Sequence, residues 1–191
     1  MVSRVEKLIG SRVDALPKGL REHIYRVQQI ALELAHQHQV DEEKARLGAL
    51  AHDIARAMKG EELLHKAYEL GIEVHPVEAK VPILLHGPVA AELLRRVDGL
   101  EDQEIYEAVY WHSIAHKGFG PIARVVFLAD KLDPQKANRY PFLARLRELA
   151  MKSLDRAIFD FLNRELISLL QQGSLVHPTS IEARNELVLD R

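Results

Sequence analysis

Lys18–His38, KGLREHIYRVQQIALELAHQH, is the stretch that decides the fold class. Ile24, Val27, Ile30, Ala31 and Leu34 recur at intervals of three and four, so a helix gathers them into one apolar stripe that needs a partner surface. The chain on either side reads the same way. Asp41 predicts the start of the next helix, because its carboxylate can accept free amides while Glu42 and Glu43 lie in the positive first turn. That helix is expected to run to about Met58. Gly60 and Gly71 bracket a short helix through Leu63, Leu64 and Tyr68. Pro76 and Pro82 punctuate a stretch ending at His86-Gly87-Pro88, where proline suits the first turn of a helix continuing through Leu94 and Arg95. Asp102 to His112 and Pro121 to Leu132 read as two more helices, joined by the Gly118-Phe119-Gly120 turn. The strongest pattern runs unbroken from Pro141 to Gln172, Gly173 stops it, and Pro178 to Leu189 forms a last short helix. With no strand-like alternation, the expectation is an all-α helical bundle forming a single domain over residues 1–191. Its core would span about 20–134, with C-terminal helices over 141–190.

Composition narrows the functions. At 191 residues the chain can bury a sizeable core, and a net charge of −2 with a pI near 6.6 gives no general field for nucleic acid. A local cationic pocket remains compatible with that balance. There is no cysteine, so any metal ligands must be nitrogen or oxygen. Neither the start, Met1-Val2-Ser3-Arg4-Val5-Glu6-Lys7, nor any later stretch has the long apolar run of a signal peptide or membrane span. No membrane partner is expected, and the cytoplasm is the expected compartment.

Against that background the order His23, His52-Asp53, His86, His112, Asp130 stands out. A chain with this many His and Asp residues contains roughly half a His-Asp pair by chance, so the other four residues carry the signal. His23 shares a face with Val27 and Ile30 and so points toward the core. His52 and Asp53 diverge by about 100° on a helix and can both reach an ion over the face between them, and the two oxygens of Asp53 could bridge a pair. His86 precedes a helix, and His112 closes one. Asp130 follows the apolar run Val125-Val126-Phe127-Leu128-Ala129, where an ionised carboxylate is expensive unless paired or metal-bound. Taken singly, each His reads as a hydrogen-bonded core histidine, and Asp130 as a cap or half of an ion pair. Six such residues on separate helices read better as a site for two divalent cations. His36, His38, His65 and His75 lack such placement and read as solvated.

Arg21-Glu22-His23, Leu50 to Arg56, Leu85 to Val89, Tyr110-Trp111-His112 and Phe127 to Pro134 resemble the HD-domain superfamily, specifically its YqeK branch. The similarity extends through Val176-His177-Pro178-Thr179 and Glu182 to Asn185 and so covers nearly the whole chain. The resemblance implies an HD-type bundle with a two-iron centre that hydrolyses diadenosine tetraphosphate symmetrically, releasing two ADP. By that pattern His23, His52, Asp53 and Asp130 serve one metal, Asp53, His86 and His112 serve the other, and Asp53 bridges. Manganese or cobalt could replace iron, since mixed His and carboxylate sites with open positions suit all three. The chain departs from the branch at Ser113 to Lys117, where a Thr-rich turn with Gly and Arg is usual, at Lys131 in place of an aromatic residue, and at Arg56 in place of Lys.

The chemistry expected of such residues is phosphoryl transfer to water. Two divalent ions beside two carboxylates leave a net positive pocket that attracts a polyphosphate and lowers the pKa of a bound water. Arg56, four residues after His52 and three after Asp53, would fall beside the metal face as a phosphate contact, or else is a surface arginine. His116, four after His112, would face the site as a proton donor if its helix continues, and is a loop residue if it does not. Asp133 either orients a ligating histidine or caps a helix. His177 lines the pocket from the tail or serves structure. The leading partner is a small dinucleoside polyphosphate. The alternatives are another nucleotide of the HD phosphohydrolases, a mixed-valence di-iron oxygenase, or a nucleotide-sensing module. The apolar C-terminal helix permits a homodimer without requiring one.

Overall fold

In a computed structural model, residues 4–189 are described, so the outermost residues of the expected domain, 1–3 and 190–191, lie outside it. Eleven α-helices and no strand occur among the described residues. They are α1 (Arg4–Asp14), α2 (Lys18–His38), α3 (Glu42–Ala51), α4 (Gly60–Glu69), α5 (Pro76–Lys80), α6 (His86–Arg96), α7 (Gln103–Trp111), α8 (Pro121–Lys131), α9 (Leu143–Lys152), α10 (Leu154–Gln171) and α11 (Pro178–Leu189). Short 3-10 turns at Pro82–Leu85 and Pro134–Lys136 complete the order. No described helix is long and apolar enough to cross a membrane.

The stripe of α2 divides between two apolar clusters. Val27, Ala31 and Leu34 pack with Val126 and Leu128 of α8 and Phe161 of α10, whereas Ile24 packs with Leu50, Leu63, Leu85, Val89 and Leu94. His23 lies on the turn of α2 where the two clusters divide. Asp41 caps α3 by accepting the Lys44 amide at 3.0 Å, and Asp102 caps α7 by accepting those of Glu104 and Ile105 at 3.0 and 3.1 Å. Gly87 lets α6 approach α7. A Cβ there would stand 2.7 Å from the Tyr110 carbonyl oxygen and 3.0 Å from that of Val109, inside contact distance.

Three boundaries differ from expectation. α3 ends at Ala51 instead of near Met58, and residues 52–57 continue in turns. There the Arg56 amide bonds to the Asp53 carbonyl at 3.0 Å, and the Ala49 carbonyl, the acceptor for the Asp53 amide in a continuing helix, accepts Nδ1–H of His52 at 2.6 Å. The expected 141–172 helix is broken at Ser153, whose backbone is extended (φ −163°, ψ 119°) and whose hydroxyl accepts the Arg156 amide at 3.3 Å. Ser153 and Asp155 form a helix start that the apolar periodicity masks. α1 had no sequence-based expectation. It is held by Ile9 and Val13 in the core and by Arg12, which reaches Asp98 at 2.6 and 2.9 Å.

Candidate metal centre

Five segments converge. His23 projects from α2, His52 and Asp53 follow the end of α3, His86 opens α6, His112 follows α7, and Asp130 lies in the last turn of α8. Except for the part-exposed His23, all are buried. Asp53 faces both ways. Its Oδ2 is 3.6 Å from Nε2 of His23 and 3.6 Å from Nε2 of His52, while its Oδ1 is 3.1 Å from Nε2 of His86 and 3.4 Å from Nε2 of His112. Asp130 closes the first group, with Oδ1 3.1 Å from His23 Nε2 and 3.8 Å from His52 Nε2.

The outer ring nitrogens explain why all four Nε2 atoms point inward. His52 donates Nδ1–H to the Ala49 carbonyl at 2.6 Å, His112 to that of Val109 at 2.7 Å, and His86 to that of Ile83. His23 donates to Asp133 Oδ2 at 2.5 Å. Asp133 is itself held by Arg26 at 2.8 and 2.9 Å and accepts the Gln135 amide at 3.1 Å, so it both orients His23 and caps a turn. With Nδ1 of each ring turned to a backbone carbonyl, His86 and His112 bring their Nε2 atoms to 2.9 Å of each other, as bare lone pairs when Nδ1 carries the only proton. Two such lone pairs repel unless a cation lies between them. Nitrogens about 2.1 Å from one ion and at right angles stand about 3 Å apart, which matches.

His52 Nε2 is buried with no hydrogen-bond partner. Burial drives the His52 pKa down to about 3 and lowers that of His112, so both stay neutral as ligands must. Burial alone would raise both carboxylates, yet both stay well below the usual range, Asp130 through the cations of Lys131 and Lys136 and its hydrogen bond with His23. Burial opposes a charge on His23, yet its hydrogen bonds to Asp130 and Asp133 outweigh it and raise the pKa to about 9. Without metal, His23 is therefore an imidazolium between two carboxylates. Two triads, His23-His52-Asp130 and His52-Asp53-His112, each place one ligand atom per residue within 4.8 Å of the others. The orphaned nitrogen, the facing lone pairs and the all-N/O donors fit divalent cations.

The centre opens into a cavity of about 320 Å³. Arg56, Lys131, Lys136 and Arg139 line it beside Asp53, His86, His112 and Asp130. Lys131 is buried, bonded to Asp130 Oδ2 at 2.7 Å and to the His112 carbonyl at 2.9 Å, and Lys136 contacts Asp130 Oδ1. His116 is not brought there. Ala115 takes a left-handed φ of 62°, the chain turns away, and His116 stacks on Trp111 at 4.4 Å instead of continuing the helix toward the site. Nor are all the remaining histidines solvated, since His38 bonds to the Ala150 carbonyl at 2.6 Å and His75 caps α5 by accepting the Val77 amide. Lys136 and Arg139 escaped the sequence reading, because the 3-10 turn after Asp133 brings Lys136 back to Asp130 and Arg139, paired with Glu165 at 3.1 Å, to the cavity, a path no helical spacing reveals.

The HD domain family matches residues 20–135. A symmetrical bis(5'-nucleosyl)-tetraphosphatase of Bacillus subtilis is 28% identical over 166 residues, covering 87% of this chain and 88% of that protein. A protein of the same name from Halalkalibacterium halodurans is 26% identical over 190 residues, covering 95% and 98%. The crystal structure of a predicted HD superfamily hydrolase involved in NAD metabolism, from Clostridium acetobutylicum, superposes with a TM-score of 0.90 at 25% identity, covering 97% of each chain.

Proposed function

The chain belongs to the HD domain family and is a metal-dependent phosphohydrolase, and from that premise we propose that it cleaves diadenosine tetraphosphate symmetrically to two ADP at a two-metal centre. One observation carries the reading. Asp53 turns one oxygen to His23 and His52 and the other to His86 and His112, inside a cavity lined by four cationic side chains. His23, His52, Asp53 and Asp130 would hold one ion, and Asp53, His86 and His112 the other. Iron is the metal proposed, with manganese or cobalt able to replace it. When bound, such a pair supplies Lewis acidity and a water of lowered pKa.

The chain's own residues do the rest. Arg56 lines the cavity three residues after Asp53, where its guanidinium can take two oxygens of one phosphate. Lys131, Lys136 and Arg139 form a cationic wall on the α8 side for the flanking phosphates. A diphosphate leaves as an anion near neutral pH, so fixed positive charge at the departing oxygen suffices and no proton donor at His116 is required. The relatives named as symmetrical tetraphosphatases support the substrate, and the 320 Å³ cavity offers an enclosed place for part of it. Metal-loaded protein assayed against dinucleoside polyphosphates, nucleoside monophosphates and a cyclic dinucleotide should turn over diadenosine tetraphosphate fastest. Preference for a monophosphate or a cyclic dinucleotide would overturn the assignment.

A further inference from the structure

Phosphate calls for cations, so a carboxylate that holds no metal is out of place in a cavity that takes a polyphosphate. Three carboxylates line this one: Asp53 and Asp130 at the metal centre, and Glu165 on α10. Glu165 is half-buried, with 25% of its side-chain surface exposed. Its Oε1 accepts from Nη2 of Arg139 at 3.1 Å, and its side chain makes no other hydrogen bond among the described residues. That pair does not account for it. Arg139 meets only one of the two oxygens and keeps 67% of its own side chain in solvent, where an ion pair contributes little. Oε2 is left as an unused acceptor.

The surroundings of Glu165 indicate the ligand. Leu162, Glu165, Leu166 and Leu169 all line the cavity, and on a helix they fall within about 100° of arc, so the carboxylate stands at the edge of an apolar strip. Val81, Ile83 and Leu84 at the 3-10 turn add to that lining. Such a surface suits the uncharged part of a nucleotide and not its phosphates. A carboxylate accepts hydrogen bonds and donates none, so the group it meets is an N–H or O–H. We infer that Glu165 is a specificity-determining residue that accepts a hydrogen bond from a donor on the nucleoside of the substrate, the exocyclic amino group of the base or a ribose hydroxyl, while Arg56, Lys131 and Lys136 hold the phosphates. The inference rests on the nucleotide reading above. It gives a role to the acid that metal binding leaves unused, and it makes nucleoside recognition separable from phosphate recognition within one cavity.

The test is calorimetric titration of metal-loaded protein with ADP, inorganic pyrophosphate, purine riboside diphosphate, which lacks the amino group, and 2',3'-dideoxy-ADP, which lacks the ribose hydroxyls. Glu165→Ala should weaken ADP about tenfold without weakening pyrophosphate, and Glu165→Gln, which keeps an uncharged oxygen acceptor, should recover part of the loss. The analogue without the donor should bind wild type and Glu165→Ala alike, which identifies the donor as amino group or hydroxyl. Matching losses for ADP and pyrophosphate would mean that Glu165 only seats Arg139, and would overturn the inference. So would unchanged binding of ADP, or a loss that persists with both analogues. If diadenosine tetraphosphate is not hydrolysed but ADP binding still depends on Glu165 in this way, the substrate reading fails and the nucleoside contact stands; if two ADP are released but Glu165→Ala leaves ADP binding unchanged, the contact alone fails.

Discussion

Asp53 and Arg56 are three residues apart and, on the function proposed, divide the labour of the site. Asp53→Ala removes the carboxylate shared by both halves of the centre and should abolish both metal loading and turnover. Arg56→Ala should leave the metal content intact and cut kcat by about 10²–10³, the usual effect of losing one charge-stabilising group. Elemental analysis beside steady-state kinetics checks both, and equal metal loss in the two variants would refute the division. His23 sets a pH dependence. Its metal-free pKa of about 9 lies above the ordinary 6.5, so its contribution to metal-free stability is complete below about pH 6.5 and is lost as pH rises through about 9. The same proton must leave before Nε2 can ligate, so metal affinity should rise by up to about tenfold per pH unit between pH 7 and 9. Chelator competition measures this, and an affinity flat over that range would contradict it. In sequence the six His and Asp residues stand out only as a set in one order, since taken singly each reads as a core histidine, a cap or half of an ion pair. Lys136 and Arg139 look ordinary in sequence and gain meaning only from where the turn after Asp133 places them.

Helices serve here as levers that end at the site. α2 and α7 were legible almost to the residue, because an apolar stripe or a capping Asp marks each. α3 was read too long because a pattern of apolar residues cannot show a His side chain competing for a backbone carbonyl. The break at Ser153 was missed because α9 and α10 both carry apolar periodicity up to it, and only the cap distinguishes two helices from one. Two variants test these junctions. Gly87→Ala forces a methyl against the carbonyls of Tyr110 and Val109 and near His112 Cε1, 3.3 Å away, so α6 must move off α7 and spread His86 from His112. It should cost about 1–3 kcal/mol and lower metal content, read by thermal unfolding and elemental analysis. Ser153→Ala removes only a cap and should cost about 1 kcal/mol with metal content unchanged. If the Gly87 variant bound metal normally, the close approach of α6 and α7 would not be what sets the pair of imidazoles.

Across the whole molecule, the helical bundle was readable from sequence, but the division into two apolar clusters was not, since one stripe on α2 feeds both. The proposed ligands come from helices of both clusters, so a metal centre would tie the two together. Chelation should therefore lower the unfolding midpoint, by an amount that grows with metal affinity and free metal concentration. The central claim, symmetrical cleavage of a dinucleoside tetraphosphate at this centre, depends on which phosphorus the site holds for attack. Early products of diadenosine tetraphosphate hydrolysis by the iron- or manganese-loaded protein, separated by chromatography, report that directly. The account predicts ADP alone, two molecules per substrate consumed, whereas ATP and AMP in equal amounts, or no turnover by fully loaded protein, would contradict it.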